Sequence, residues 1–124
     1  MYDRAISGLL LIVAAIHLLP IAGVLGADRL ALLYGIDVAD NNLAILMRHR
    51  AVLFGILGGL CALAAFRPRF QPLAFIAASI SVLSFLYLAI SVGEYNDAIQ
   101  KIVIADVLAV FALAASIVLY VIKP

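Results

Sequence analysis

Four long apolar stretches, at residues 5–26, 41–66, 73–93 and 99–122, are separated by short polar breaks. At about 1.5 Å of rise per residue, a helix over any of them reaches across the roughly 30 Å hydrocarbon core of a bilayer. The pattern predicts an all-α fold, a four-transmembrane-helix bundle, with residues 1–124 as a single integral membrane domain. The breaks read as turns. Arg67-Pro-Arg-Phe-Gln-Pro72 is a two-proline turn, and Glu94 to Lys101 forms a connection at the opposite end. Between the first and second spans, Asp28-Arg-Leu-Ala-Leu-Leu-Tyr34 predicts a short interfacial helix. Asp28 is its expected cap and Gly35 its stop, with Leu30, Leu33 and Tyr34 on one face. Asp40, Asn41 and Asn42 offer caps for the second span. Pro20 lies inside the first, where it lacks a backbone donor and frees the carbonyl of Ile16, so a bend just past His17 is expected.

With 68% of 124 residues hydrophobic, four spans leave almost no chain for a soluble domain. A formal charge of +1 without a clustered basic surface argues against a nucleic-acid or other polyanionic partner, and the lipid bilayer is the expected surrounding. Cys61 is the lone cysteine, so neither an intrachain disulfide nor a redox pair can form. The first span is expected to be retained. Val24 and Gly26 are tolerable residues before a cut, but the apolar run is longer than a typical signal core.

Orientation follows from the basic residues. With a cytoplasmic amino terminus, Arg4, Arg67, Arg69 and Lys123 all lie inside, while the opposite loops carry Arg29 and Lys101. Both termini are therefore expected in the cytoplasm. The carboxylates of Asp28, Asp37, Asp40, Glu94 and Asp97 then gather at the outer end, and only Asp3 lies inside.

Ionisable residues inside a span need a reason, and the second span contains Arg48, His49 and Arg50. At 100° per residue Arg48 shares a stripe with Val52, Gly55, Gly59 and Ala62, small residues of the kind that let membrane helices approach closely. Arg48 is therefore expected to face a neighbouring helix. Arg50 lies about 160° away, beside Phe54, Leu57 and Cys61, and is expected to reach the headgroups or a loop carboxylate. Measured from the outer helix ends, His17 lies roughly 13 Å deep, Arg48 and His49 about 10 to 12 Å, Asp106 about 10 Å and Tyr87 about 9 Å. In this shared layer the cheapest arrangement pairs Arg48 with Asp106, because an unpaired charge near the bilayer centre costs about 2.5 to 3.5 kcal/mol. Tyr87, Ser84 and Ser91 could add hydrogen bonds.

Such a layer suits two functions. One is a site that binds or passes a small anionic or amphipathic ligand, a lipid among the candidates. Arg48 would hold negative charge, Asp106 would tune it, and His17 or His49 would confer pH sensitivity, with Tyr87 and Arg50 nearby. The other is a scaffold or assembly factor in which the polar cluster only fixes helix packing. There, small-residue faces such as Gly55 with Gly59 and Ala105 with Ala109 would pack against copies of the chain or another membrane protein. His17 and His49 are also the minimum for two axial haem ligands, with Arg48 or Arg50 near the propionates. More commonly, a lone histidine on an apolar helix donates to a freed carbonyl, here that of Ile16. No other cofactor is expected. No Cys pair, His-x-x-x-His or Glu-x-x-His supplies a metal site, and neither a phosphate loop nor a Gly-x-Ser-x-Gly elbow is present, so catalysis is not expected.

The run Tyr34-Gly-Ile-Asp37, followed by Asn42-Leu-Ala-Ile-Leu-Met-Arg-His-Arg50 and Ala51-Val-Leu-Phe-Gly-Ile-Leu-Gly58, resembles a group of small bacterial four-helix membrane proteins. These are loosely similar to the DoxX-like families. The resemblance spans most of the chain, but its specific part is the Arg-His-Arg segment with its preceding loop. It implies an inner-membrane location and supplies neither an activity nor site residues. Similar chains are sometimes labelled phosphopantetheine adenylyltransferase. That label does not transfer here, because the His-x-Gly-His motif and the α/β sheet of the nucleotidyltransferases are both missing.

Overall fold

The computed structural model describes residues 1–124. It is all-helical, with α1 (Tyr2–Leu18), α2 (Ala27–Tyr34), α3 (Asn41–Phe66), α4 (Gln71–Val92) and α5 (Asp97–Ile122). Four apolar segments, Tyr2–Leu25, Asn41–Phe66, Pro68–Val92 and Asp97–Ile122, are each long enough to cross a membrane, which makes this a multi-pass membrane protein.

Local chemistry sets the ends of these helices. The first span divides in two, because α1 stops at Leu18 and the chain continues as a 3-10 helix over Leu19–Leu25. Pro20 cannot donate to the Ile16 carbonyl, so the regular α-helical ladder is interrupted where the bend past His17 was expected. The short helix starts at Ala27, with Gly26 rather than Asp28 as its N-cap and no side-chain cap bond. Asp28 sits in its first turn. Gly35 stops the helix in the left-handed region at φ 64°, where a Cβ is disfavoured. α3 has the same bounds as the second apolar stretch, and of its three candidate caps Asp40 accepts from the Leu43 amide at 3.0 Å. α4 begins at Gln71, two residues before the expected start, because Pro72 is tolerated in a first helical turn. α5 likewise begins early, at Asp97, where Asn96 Oδ1 accepts from the Ile99 amide at 2.8 Å.

The spans form a ring in which α1 packs on α3 and α5, and α4 closes the circle against both. Both termini lie at one end, where Lys123 Nζ donates to Asp3 Oδ1 at 3.3 Å. The main core joins Ile6, Leu10 and Val13 of α1 to Cys61 and Ala64 of α3, Phe75, Ala78 and Val82 of α4, and Ala109 and Leu113 of α5. Its many alanines let the backbones approach. A second, smaller core lies at the far end, where Leu30 and Tyr34 of α2 and Val38 pack on Leu43, Met47, Ile99 and Ile102.

The inward face of α3 differs from the glycine stripe expected above. Its buried residues are Ala51, Gly58, Cys61, Ala64 and Ala65, whereas Val52 and Gly59 face outward. Gly58 makes the close approach, since a Cβ there would lie 2.7 Å from Leu18 Cγ and 3.1 Å from the Ala14 carbonyl oxygen. The other small residues named as contacts between chains are used largely within this one. Gly55 lies under Ile21, Ala105 lines an internal chamber and Ala109 is fully buried, while only Gly59 has open space around it.

Candidate functional site

Between the two cores lies a chamber of about 310 Å³. Ile16, His17, Leu19 and Pro20 form one wall, Arg50 and Phe54 of α3 the next, and Phe85 of α4 the third. Ala98, Lys101, Ile102, Ala105 and Asp106 of α5 complete the ring, and Leu32, Leu33 and Tyr34 of α2 roof it. The walls are mainly apolar, with charged groups at a few points, which is the usual composition of a small-molecule pocket.

Arg50 is the central polar group. Its guanidinium lies 4.6 Å from the Phe54 ring centroid and 5.1 Å from that of Tyr34, and its Nη1 donates to the Tyr34 hydroxyl oxygen. Two aromatic faces attract the cation electrostatically, and for a half-buried group the interaction is worth about 1 kcal/mol. No carboxylate comes within 4.0 Å, because the one ion pair in the chain is Lys123 with Asp3. Asp106 lines the same chamber without making that contact.

Tyr34 is held in turn. Asn96 Nδ2 donates to the Tyr34 carbonyl at 2.8 Å and to the Gly35 carbonyl at 3.1 Å, while Asn96 Oδ1 caps α5. One side chain thereby ties the end of α2 to the start of α5. These two carbonyls belong to a helix end that would otherwise lack donors.

His17 is buried, with Nδ1 2.9 Å from the Val13 carbonyl and Nε2 3.3 Å from Ser81 Oγ. A carbonyl only accepts, so Nδ1 carries the proton, and in the neutral ring Nε2 accepts from the serine hydroxyl. The partner is thus the carbonyl one turn back rather than that of Ile16. Phe54 packs on the imidazole at a centroid distance of 5.9 Å.

The structure brings together His17, Arg50 and Asp106 of the expected site residues, and leaves out Arg48, His49 and Tyr87. Arg48 does not meet Asp106. Its Nε donates to the Val24 carbonyl at 2.9 Å, satisfying the end of the 3-10 segment. The reason is rotational: with Ala51, Gly58 and Cys61 turned inward, Arg50 points into the bundle and Arg48 lies on another face. His49 is exposed, five residues before Phe54 and about 140° round the helix, so it does not converge on His17 as an axial haem pair would require. Tyr87 is 70% exposed and projects from the bundle. The hydroxyls of Ser84 and Ser91 bond to carbonyls of their own helix, those of Ser81 and Tyr87, and add nothing to the layer.

Four participants were not foreseen: Tyr34, Lys101, Asn96 and Ser81. Tyr34 lies on the buried face of an amphipathic short helix, which was a usable signal, but its meeting with Arg50 depends on how α2 folds back. No group of three or more His, Cys, Asp or Glu residues could hold a metal ion. In comparisons with known families, curated proteins and solved structures, the chain matches no family model, no curated protein and no solved structure.

Proposed function

We propose that the chamber binds a small anionic or amphipathic ligand, with Arg50 as the residue that holds its negative charge. The observation that carries this reading is a guanidinium lining an apolar chamber with two aromatic rings and a neutral hydroxyl beside it, and no carboxylate in contact. A charge withdrawn from water normally takes an ionic partner, because its desolvation costs several kcal/mol. A ligand anion would fill that role. Lys101 adds a second cation, Asp106 opposes both, and His17 offers a hydrogen-bonding edge.

The basic residues Arg4, Arg67, Arg69 and Lys123 lie toward the end that carries the termini and support a cytoplasmic placement for it. The chamber then sits in the outer half of the bilayer, beneath α2 as an interfacial helix. The resemblance to small bacterial membrane proteins supports the inner membrane as the location.

The test is native mass spectrometry from non-ionic detergent after incubation with carboxylates, phosphates and sulfates that carry short or long apolar groups. Retention of an anion by the wild type and its loss in Arg50→Gln are expected. Equal retention by both proteins, or by neither, contradicts the reading.

A second reading rests on the chain of contacts from Asn96 through Tyr34 to Arg50, which links α5, α2 and α3. In it the cluster braces a scaffold protein. That role requires the contacts to contribute stability and requires that no ligand add to it.

A further inference from the structure

We propose that the occupant is a single-chain anionic amphiphile whose hydrocarbon chain leaves the chamber sideways, past Phe54 and Phe85, into a groove between α3 and α4. This rests on the ligand reading above and deepens it. The groove is a second cavity of about 300 Å³, walled by Leu53, Leu57, Ser81, Ser84 and Leu88, and it shares Arg50, Phe54 and Phe85 with the chamber. The guanidinium therefore stands where two mainly apolar spaces of similar size meet. A charged head at that junction with a chain along the cavities satisfies both kinds of wall. Two such spaces flanking the same pair of aromatic rings suit one chain rather than two.

The route follows from what covers each side. α2 roofs the chamber, and Asn96 fastens the end of α2 to the start of α5. On the α3–α4 side, Leu53, Ser84 and Leu88 lie on the surface that faces lipid, so a chain already dissolved in the bilayer can pass inward without crossing water. Charge points to the same class. Arg50 and Lys101 against Asp106 leave one formal positive charge in the chamber wall, which one carboxylate or monoanionic phosphate balances. An inorganic ion stripped of its water shell would need more donors than these apolar walls provide.

The experiment uses the full chain in nanodiscs of neutral phosphatidylcholine, with a long-chain carboxylate carrying a diazirine at mid-chain. After illumination, labelled peptides are mapped by mass spectrometry. Labelling is expected to concentrate on Leu53, Leu57, Ser84 and Leu88, and to be lost on adding excess laurate or 1-lauroyl lysophosphatidate. The stronger competitor identifies a carboxylate or a phosphate as the preferred head. Ser84→Trp fills the groove from an exposed position whose hydroxyl bonds only its own helix, so it should fold and lose the labelling, whereas Gly59→Ala, on the outer face of α3 with open space around it, should keep it. Labelling spread evenly over the lipid-facing sides of all four spans, or unchanged in Ser84→Trp, overturns the proposal. If the wild type still retains short anions through Arg50, the ligand reading survives that result. If neither short nor long anions distinguish the wild type from Arg50→Gln, the ligand reading falls as well.

Discussion

The guanidinium of Arg50 donates to the phenol oxygen of Tyr34, and through this contact α3 holds the short helix that roofs the chamber. A hydrogen bond to a charged group contributes about 1.5 to 3 kcal/mol. Tyr34→Phe should lower unfolding stability by that amount while preserving the ring that faces the cation. Combined with Arg50→Gln in a double-mutant cycle, it should show a coupling of about 1 to 2 kcal/mol. Simple additivity, measured by unfolding in mild detergent, would show that the contact contributes nothing.

Asn96 serves three hydrogen bonds, whereas Asp40 serves one as the cap of α3. Loss of an ordinary cap costs about 1 kcal/mol. Asp40→Ala should therefore cost about that much, and Asn96→Ala should cost about 2 to 3 kcal/mol, because the Tyr34 and Gly35 carbonyls also lose their donor. Hydrogen exchange should localise the second loss to α2. Equal costs for the two substitutions would remove Asn96 from the architecture of the site.

The four spans were legible in the sequence because length and apolarity alone determine them. The inward face of α3 was not, because lipid is as apolar as a protein core and hydrophobic residues occur all round the helix. Without that contrast, Arg48 with its glycine stripe looked like the inward residue, while Ala51, Cys61 and Ala65 marked the face that packs. Gly59 lies on the outside and Gly58, one residue earlier, on the inside. Helix starts at Asp97 and Gln71 were missed by two residues because Asn96 and Pro72 act through local geometry rather than hydropathy. Tyr34 reaches the site only because α2 folds back over the bundle, a tertiary event that spacing along the chain does not encode.

Gly58 and Gly59 provide a test of this face assignment. A Cβ at Gly58 meets Leu18 at 2.7 Å and the Ala14 carbonyl at 3.1 Å, whereas one at Gly59 meets nothing within 4 Å. Gly58→Ala should destabilise by about 1 to 3 kcal/mol through overpacking between α1 and α3. Gly59→Ala should leave stability unchanged or raise it slightly, since alanine is the better helix former. The opposite order, read from melting temperatures in detergent, would mean that α3 is rotated from the orientation described.

The most direct measurement compares two arginines that are two residues apart. Arg48 reaches a backbone carbonyl of the 3-10 segment, whereas Arg50 lines the chamber. Wild type, Arg48→Gln and Arg50→Gln are melted in non-ionic detergent with and without a long-chain carboxylate, whose binding to the folded state raises the melting temperature. The ligand should raise it for wild type and for Arg48→Gln, and leave Arg50→Gln unmoved. A rise that survives in Arg50→Gln, or one that disappears only in Arg48→Gln, would contradict Arg50 as the anion-holding residue.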